Sequence, residues 1–211
     1  MSQPPLPPIH PPVLVTPRLT LRPIDARDAA DLFAIFSDPD VMRFWSSAAW
    51  TDIGQAHDSI RATIAGYAAG DAMRLGVEWE GRVVGTCTLF DISPTNRRAE
   101  IGYALASRCW GRGLMHEALS HVLDHAFGPM GLHRIEADID PRNAPSARTL
   151  ERLGFLREGT LRERWIVNGE ISDTALYGLL AREWQSRREK KSAGPQGGGA
   201  ENSGQGGTGG E

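Results

Sequence analysis

The sequence predicts an α/β fold built on a mixed, mostly antiparallel sheet with flanking helices. Residues 73–90 alternate apolar and polar side chains on either side of Gly81, which is typical of two antiparallel strands joined by a tight turn. Residues 99–139 change from strand spacing to helix spacing and back, which predicts one parallel strand-helix-strand crossover. Asn168-Gly169 separates the last two strand-like stretches and predicts a closing hairpin.

Local patterns before the central hairpin predict one strand and two helices. Alternation over residues 19–24 predicts the strand, and Asp25 is well suited to cap the helix that follows it and ends near Pro39. A second helix is expected over residues 52–69. Its predicted apolar stripe consists of Ile53, Ala56, Ile60 and Ile64.

Two glycines mark helix ends in the second half of the chain. Helical spacing begins just after Gly113, and Gly154 stands where a left-handed C-terminal cap is favoured. The remaining elements are expected, in chain order, as a strand over 99–105, the helix after Gly113, a strand over 135–139, a helix over 145–153, and strands over 158–166 and 172–180.

Composition excludes several classes of function. The chain of 211 residues has 23 Lys plus Arg and 26 Asp plus Glu, so it lacks the basic field on which nucleic-acid binding relies. It has no apolar run long enough to cross a membrane and no cationic, apolar leader, so a cytoplasmic protein is expected. Cys87 and Cys109 are the only cysteines, which predicts neither a disulfide framework nor a metal site.

The chain is expected to form one domain between two tails. Residues 1–12 are rich in proline and should form an extended arm. Residues 13–185 hold the periodic apolar pattern of a folded domain. Residues 186–211 become rich in glycine and poor in apolar side chains, which predicts a disordered tail, either a natural linker or a cloning remnant.

The segment from Arg108 to Gly113 lies between a predicted strand and a predicted helix. Gly111 and Gly113 let the backbone turn sharply, and the first helical turn leaves its N–H groups without internal partners. With the helix dipole and Arg112 nearby, the turn suits a diphosphate, although a purely structural tight turn is the alternative. Neither a Walker loop nor a dinucleotide fingerprint fits these residues.

Arg108, Gly111 and Gly113 match the Gln/Arg-x-x-Gly-x-Gly/Ala pattern of one enzyme family. Further motifs of that family follow in order: Ala99-Glu-Ile-Gly-Tyr103, His133-Arg-Ile-Glu-Ala137, Asn143-Ala-Pro-Ser146, Leu153-Gly-Phe155 and Glu183-Trp184. Residues 13–184 thus resemble the GCN5-related N-acetyltransferase (GNAT) family, in the branch that contains the ribosomal-protein alanine N-acetyltransferases. The resemblance implies the GNAT fold, acetyl-coenzyme A (acetyl-CoA) as cosubstrate, and acetyl transfer to an amine.

The resemblance also implies where coenzyme A binds. The turn amides from Cys109 to Leu114 would hold its diphosphate, and the strand ending at Leu105 would pair with its pantetheine arm. Asn143 would bond the pantetheine amides and Arg148 the phosphates, with a plain turn residue and a solvated arginine as the alternatives. The implied coenzyme-binding residues are Tyr103, Ala104, Leu105, Arg108, Cys109, Trp110, Gly111, Arg112, Gly113, Leu114, Asn143 and Arg148.

Glu100 is the candidate general base for deprotonating the amine, directly or through water. Strand alternation puts it on one face with Gly102 and Ala104, two small residues that leave room for a ligand. The opposite, apolar face is predicted to consist of Ala99, Ile101, Tyr103 and Leu105. A solvent-facing glutamate on an amphipathic strand is the alternative interpretation of Glu100.

The reaction also needs donors for an oxyanion and a proton for the departing thiolate. Strand amides near Tyr103 and Ala104 are the candidates for the oxyanion contact. By resemblance to family members with a hydroxyl near the sulfur, Ser146 is the second catalytic candidate. Its alternative is a helix-cap serine that bonds only backbone amides.

The favoured acceptor is a protein N-terminal α-amine, because the resemblance is closest to that branch. Small-molecule amines, a non-catalytic acetyl-CoA sensor and a scaffold whose tails recruit partners are the alternatives. Residues 39–69 and 91–98 are expected to build the acceptor pocket, with Asp173 and Tyr177 as further candidates for its lining. A homodimer is the default expectation for a soluble protein of this kind.

Overall fold

The computed structural model of the chain describes residues 8–192. Within this range eight strands form one sheet. The strands, in chain order, are β1 Leu14–Val15, β2 Thr20–Pro23, β3 Met73–Trp79, β4 Arg82–Ser93, β5 Arg98–Leu105, β6 Arg134–Ile139, β7 Leu156–Val167 and β8 Glu170–Leu180. The α-helices are α1 Ala29–Phe36, α2 Pro39–Met42, α3 Ile53–Ala69, α4 Leu114–Phe127, α5 Ala144–Leu153 and α6 Ala181–Ser192.

The strand order across the sheet is β1-β2-β3-β4-β5-β6-β8-β7. Every neighbouring pair is antiparallel except β5 and β6, which are parallel and joined through α4. A parallel pair needs a crossover connection, and a helix is its usual form. The predicted mixed, mostly antiparallel sheet with one crossover is confirmed.

The core lies between the sheet and its helices. Leu75 in β3, Leu89 in β4 and Ile135 in β6 are each 0% exposed, and Leu123 of α4 is equally buried. The apolar residues of α4 recur at helical spacing, so one face of the helix is buried in the core. Full burial of such side chains contributes roughly 1.5–3 kcal/mol each.

Hydrogen-bonded caps fix the ends of two helices, and the one at Gly154 was predicted from the sequence. Asp52 accepts a hydrogen bond from the Gly54 amide, and the Gln55 side chain completes a capping box at the start of α3. Gly154 ends α5 in the left-handed region with φ of 100°, and the Phe155 amide bonds the Leu150 carbonyl.

Two details differ from the predicted pattern. Ile53 and Ile64 of α3 are 41% and 52% exposed, so the predicted apolar stripe is wrong at both positions. Thr63 is buried instead, and its hydroxyl bonds the Ser59 carbonyl, which lets a polar side chain occupy the packed face.

The C-terminal boundary also differs. Helix α6 continues to Ser192, beyond residue 185 where the domain was expected to end. Trp184 anchors this helix, because its ring is 6% exposed and its Nε1 donates to Asp124 at 2.9 Å. Residues 193–211 of the predicted tail and residues 1–7 of the predicted arm lie outside the described residues. Within residues 8–192 no helix has the length and hydropathy to cross a membrane.

We expect Asp52→Ala to lower the free energy of unfolding by about 1 kcal/mol, because the first turn of α3 loses its side-chain acceptor. Chemical denaturation measures the change. Asp58→Ala is the matched control, since Asp58 lies exposed on the same helix and pairs only across the surface with Arg61. Equal destabilisation by both variants would contradict the capping role.

Candidate active site

The sheet splits between its two parallel strands. Backbone pairing of β5 with β6 stops at Glu100 opposite Glu136. Strand β5 nevertheless continues to Leu105 along β4, and β6 continues to Ile139 along β8. Each strand therefore has a free edge facing the other, and such an edge offers its backbone groups to an extended ligand.

The glycine turn follows β5 after a short 3-10 turn at Ser107–Cys109. Gly111 and Gly113 have φ of 74° and 72°, a conformation that favours glycine. A side-chain carbon added at Gly111 would meet no atom within 4 Å, so the space above the turn is open. None of the hydrogen bonds within residues 8–192 uses the amides of Gly111, Arg112 or Gly113. These amides, with that of Leu114 in the first turn of α4, form a suitable anion cradle.

The predicted set of amide donors in the anion site includes two residues too many, Cys109 and Trp110. The Cys109 amide bonds the Ala106 carbonyl at 2.9 Å, and the Trp110 amide bonds the Ser107 carbonyl at 3.1 Å. Both donors are already engaged in a short 3-10 turn, so Cys109 and Trp110 do not offer free amides to a ligand. Cys109 is also 1% exposed, which places its thiol in the core.

The side chains of the turn brace it from outside. The Trp110 indole Nε1 donates to the Leu105 carbonyl at 2.8 Å, while half of its ring surface remains exposed. The Arg112 guanidinium stacks on Trp79, 5.1 Å from the ring centroid. Arg108 is exposed at the same end of the sheet.

Glu100 lies at the point where the two strands part. Burial raises the pKa of its carboxyl group, and the negative charges of Asp138, Asp91 and Glu136 raise that pKa further, against a weaker opposing effect of Arg98. A carboxylate with a raised pKa is a stronger base than an ordinary glutamate. Its position and its basicity both suit proton abstraction.

Tyr103 and Ser146 meet across the opening between the strands. The Tyr103 Oη lies 2.7 Å from the Ser146 Oγ and 3.3 Å from the Ser146 carbonyl oxygen. Burial raises the pKa of the Tyr103 phenol despite the hydrogen bond with Ser146, so this hydroxyl stays protonated. The pair connects β5 with α5 and puts two hydroxyls beside the free edge of β5.

The start of α5 explains how Ser146 is held. Asn143 is the N-cap residue, and its Oδ1 accepts a hydrogen bond from the Ser146 amide at 3.2 Å. The side-chain oxygen of Asn143 thus has a local structural role, while the Ser146 hydroxyl is engaged with Tyr103 and not with a backbone amide. Arg148 lies exposed on the same helix.

The predicted alternation of β5 fails at the end of the strand. Ala104 is 4% exposed, whereas Tyr103 and Leu105 are only partly buried. The reason is visible in the neighbouring strand, where residues 83–87 are all buried and both faces of the sheet are therefore covered. Alternation of apolar and polar residues predicts that only one face of a strand is buried. It therefore assigns residues wrongly where both faces of the sheet are buried.

One segment crosses the open ends of β5 and β6. Asp38 accepts a hydrogen bond from the Ser107 hydroxyl at 2.6 Å, just beyond the end of β5. Phe44 lies under the guanidinium of Arg142, which follows β6 and also pairs with Glu170 at the start of β8. Residues 38–44 therefore cover the carboxyl ends of both strands and form one wall of the opening.

The two strand residues predicted to line an acceptor pocket have other surroundings. Asp173 Oδ1 accepts a hydrogen bond from the Glu163 amide at 2.8 Å, which stabilises an irregular stretch of the outer hairpin. Tyr177 is 4% exposed and belongs to the core. Within the described residues no group of three or more His, Cys, Asp or Glu side chains is arranged to hold a metal ion.

Sequence patterns missed the groups that act on Glu100 and on the glycine turn. Asp91 and Asp138 stand far apart in sequence, and only the folded sheet brings their charges near Glu100. Arg18 reaches the carbonyl of Arg112 from the turn between β1 and β2. No local motif signals either arrangement, because both depend on contacts between distant segments.

Comparison with known proteins agrees with this geometry. Residues 18–156 match the family profile "Acetyltransferase (GNAT) domain". The chain is 38% identical to the uncharacterized N-acetyltransferase p20 of Bacillus licheniformis over 173 residues, 81% of this chain and 97% of that protein. It is 29% identical to the putative ribosomal N-acetyltransferase YdaF of Bacillus subtilis over 179 residues, 82% of this chain and 97% of that protein.

A solved structure and one further relative extend the comparison. Mycobacterium smegmatis RimJ, solved in complex with CoA-disulfide, superposes with a TM-score of 0.74 at 29% identity, covering 83% of this chain and 89% of RimJ. The spermidine N(1)-acetyltransferase of Vibrio cholerae is 24% identical over 173 residues, 82% of this chain and 98% of that protein. The chain belongs to the GNAT family and is an acetyl-CoA-dependent N-acetyltransferase.

Proposed function

We propose that the protein acetylates a protein N-terminal α-amine of the ribosomal-protein alanine type, held in the opening between β5 and β6. The observation that carries this proposal is the position of Glu100, a partly buried carboxylate of raised pKa at the point where the strands part. The similarity to a putative ribosomal N-acetyltransferase supports the choice of a protein N-terminus.

The free edge of β5 and the glycine turn together fit acetyl-CoA. The amides of Gly111 to Leu114 would hold the diphosphate, since they lie at a helix N-terminus and no hydrogen bond within residues 8–192 uses those of Gly111, Arg112 and Gly113. The pantetheine arm would lie along β5 between Tyr103 and Leu105 and would pair with it as an added strand. Asn143 and Arg148 would contact the same arm and the phosphates from α5.

Acetyl transfer then requires two proton movements. Glu100 takes a proton from the amine, directly or through water, as the amine nitrogen bonds the acetyl carbonyl carbon. Amides of β5 near Tyr103 and Ala104 would bond the oxyanion that forms. As the carbon–sulfur bond breaks, the Ser146 hydroxyl, hydrogen-bonded to Tyr103, donates a proton to the thiolate and is reprotonated from solvent.

A small polyamine is the second candidate acceptor, and a specific observation favours it. Asp91 and Asp138 place negative charge around Glu100, which attracts a cationic amine. One relative is named a spermidine N(1)-acetyltransferase. A non-catalytic acetyl-CoA sensor does not explain Glu100, because binding alone does not require a general base where β5 and β6 separate.

An acceptor panel tests the choice directly. We expect peptides with a free N-terminal alanine to be acetylated with a kcat/KM at least about tenfold above that for spermidine. The matched control peptide carries the same sequence with a blocked N-terminus and one internal lysine. Preference for spermidine would replace the proposed acceptor with a polyamine, and acetylation of the lysine alone would exclude the N-terminal amine.

The general base has a pH signature. We expect Glu100→Gln to lower kcat by roughly 10²–10⁴-fold and to abolish the acid limb of the pH profile. In the wild type this limb should lie above the ordinary glutamate value of 4.5, since burial and neighbouring carboxylates raise the pKa of Glu100. The rate rises with pH there because the deprotonated form is the active one.

Asp138→Asn is the matched control for this profile. Removing its negative charge lowers the pKa of Glu100, so the acid limb should move to lower pH while kcat at high pH is retained. An unchanged profile in Glu100→Gln would remove Glu100 from the mechanism, whatever the acceptor.

The proposed coenzyme site can be tested with a glycine inside it and a matched glycine outside it. We expect Gly111→Ala to weaken acetyl-CoA binding by roughly tenfold or more, because the left-handed turn is strained and the added methyl group enters the open space. Gly169→Ala has the same left-handed backbone and equally open surroundings, but it lies in the outer hairpin. Calorimetry should show normal binding by Gly169→Ala, and equal binding by both variants would move the diphosphate away from the turn.

A further inference from the structure

Arg18 connects the start of the chain to the glycine turn. Its Nη1 donates to the Arg112 carbonyl at 2.9 Å, between the two left-handed glycines. A side-chain carbon built at Gly113 would lie 3.8 Å from the Arg18 Nη2. The guanidinium therefore borders the turn from the side of β2 and touches its backbone.

Glu117, in the first turn of α4, holds this arginine in place. Its Oε2 pairs with the Arg18 Nε at 2.6 Å, and its Oε1 accepts from the Arg18 amide at 3.0 Å and from the Thr16 hydroxyl at 2.5 Å. Burial raises the pKa of Glu117, but these hydrogen bonds outweigh it and keep the pKa below the usual range. The carboxylate is thus ionised and fully engaged.

We propose that Arg18 and Glu117 are positioning residues of the diphosphate site: Glu117 orients Arg18, and Arg18 fixes the carbonyl of Arg112 so that the turn amides face the anion. This inference rests on the proposed placement of acetyl-CoA on the glycine turn. It assigns a function to the turn between β1 and β2.

The Arg18 guanidinium has a further donor, Nη2, beside Gly113. None of the hydrogen bonds within residues 8–192 uses the Arg18 Nη2, and the side chain is 46% exposed. That group lies on the Gly113 side of the turn and provides positive charge where the diphosphate is expected. Arg18 therefore acts on the turn through one nitrogen and presents another to the anion.

The sign of the Glu117 effect separates positioning from simple charge. A carboxylate near an anion site opposes binding, so electrostatics alone predicts that Glu117→Gln tightens acetyl-CoA binding. Positioning predicts the opposite, because glutamine keeps the size of the side chain but weakens its hold on Arg18. The same substitution thus gives opposite results under the two explanations.

The experiment compares two acetyl donors. Acetyl-CoA carries the diphosphate, and acetyl-pantetheine lacks it. We expect Glu117→Gln and Arg18→Ala to raise the KM for acetyl-CoA by roughly tenfold with little change in kcat, as loss of a charge-assisted hydrogen bond implies. Activity with acetyl-pantetheine should not change in either variant, since that donor does not use the turn.

Arg82→Ala is the matched control, because Arg82 forms an exposed ion pair with Asp31 on another part of the surface. This substitution should change neither KM nor kcat with either acetyl donor. Arg18→Lys keeps the charge and loses the forked geometry, so it should resemble Arg18→Ala if positioning matters. Thermal unfolding of each variant identifies any that fails to fold. If Arg18→Ala fails to fold, the two donors are compared in Arg18→Lys instead.

Four outcomes would overturn the inference. Tighter acetyl-CoA binding in Glu117→Gln would leave only an electrostatic role, and unchanged binding would leave Glu117 without a role at the diphosphate site. Equal loss with both donors would indicate a general structural role for the pair. Normal acetyl-CoA binding in Gly111→Ala would remove the diphosphate from the turn and the inference with it, whereas loss in Gly111→Ala alone would refute the inference and leave the proposed function standing.

Discussion

The structure depends on how far β5 and β6 remain paired. Their pairing ends at Glu100 opposite Glu136, and beyond these residues the edges that the two strands turn toward each other are unpaired. Because the pair is parallel, the strands need a crossover connection, and α4 begins at Leu114, after the short loop that follows β5. One break in backbone pairing thus places a free strand edge, a helix N-terminus and a carboxylate within one region.

Polar contacts fix both ends of this opening. At its closed end, Glu136 accepts from Arg98 at 2.5 Å and from Arg134 at 2.7 Å, which joins β5 to β6 where their pairing stops. Further along, the Tyr103–Ser146 hydrogen bond spans the two halves. These contacts keep the two halves at a defined separation, and a defined separation is what an extended ligand needs in order to bind as a strand.

Much of this arrangement follows from local sequence. The glycine turn, the caps and the single crossover are encoded by neighbouring residues, so spacing alone predicts them. The free amides are fewer than predicted, because the short turn at Cys109 consumes donors that no periodicity reveals. The exposure of Ile64 and the burial of Ala104 also escaped prediction, since they depend on which faces other elements cover. The role of Arg18 was also not predicted, because its partners lie about a hundred positions away in the sequence.

Glu100 and Glu117 show how far surroundings decide the role of one residue type. Both are partly enclosed, and burial raises the pKa of each. Around Glu100 the neighbouring charges are mostly negative, so its affinity for a proton increases and it suits a base. Around Glu117 the arginine and two other donors occupy the oxygens, so its affinity for a proton falls. A carboxylate so engaged cannot accept a substrate proton, and its chemistry is restricted to holding Arg18 against the turn.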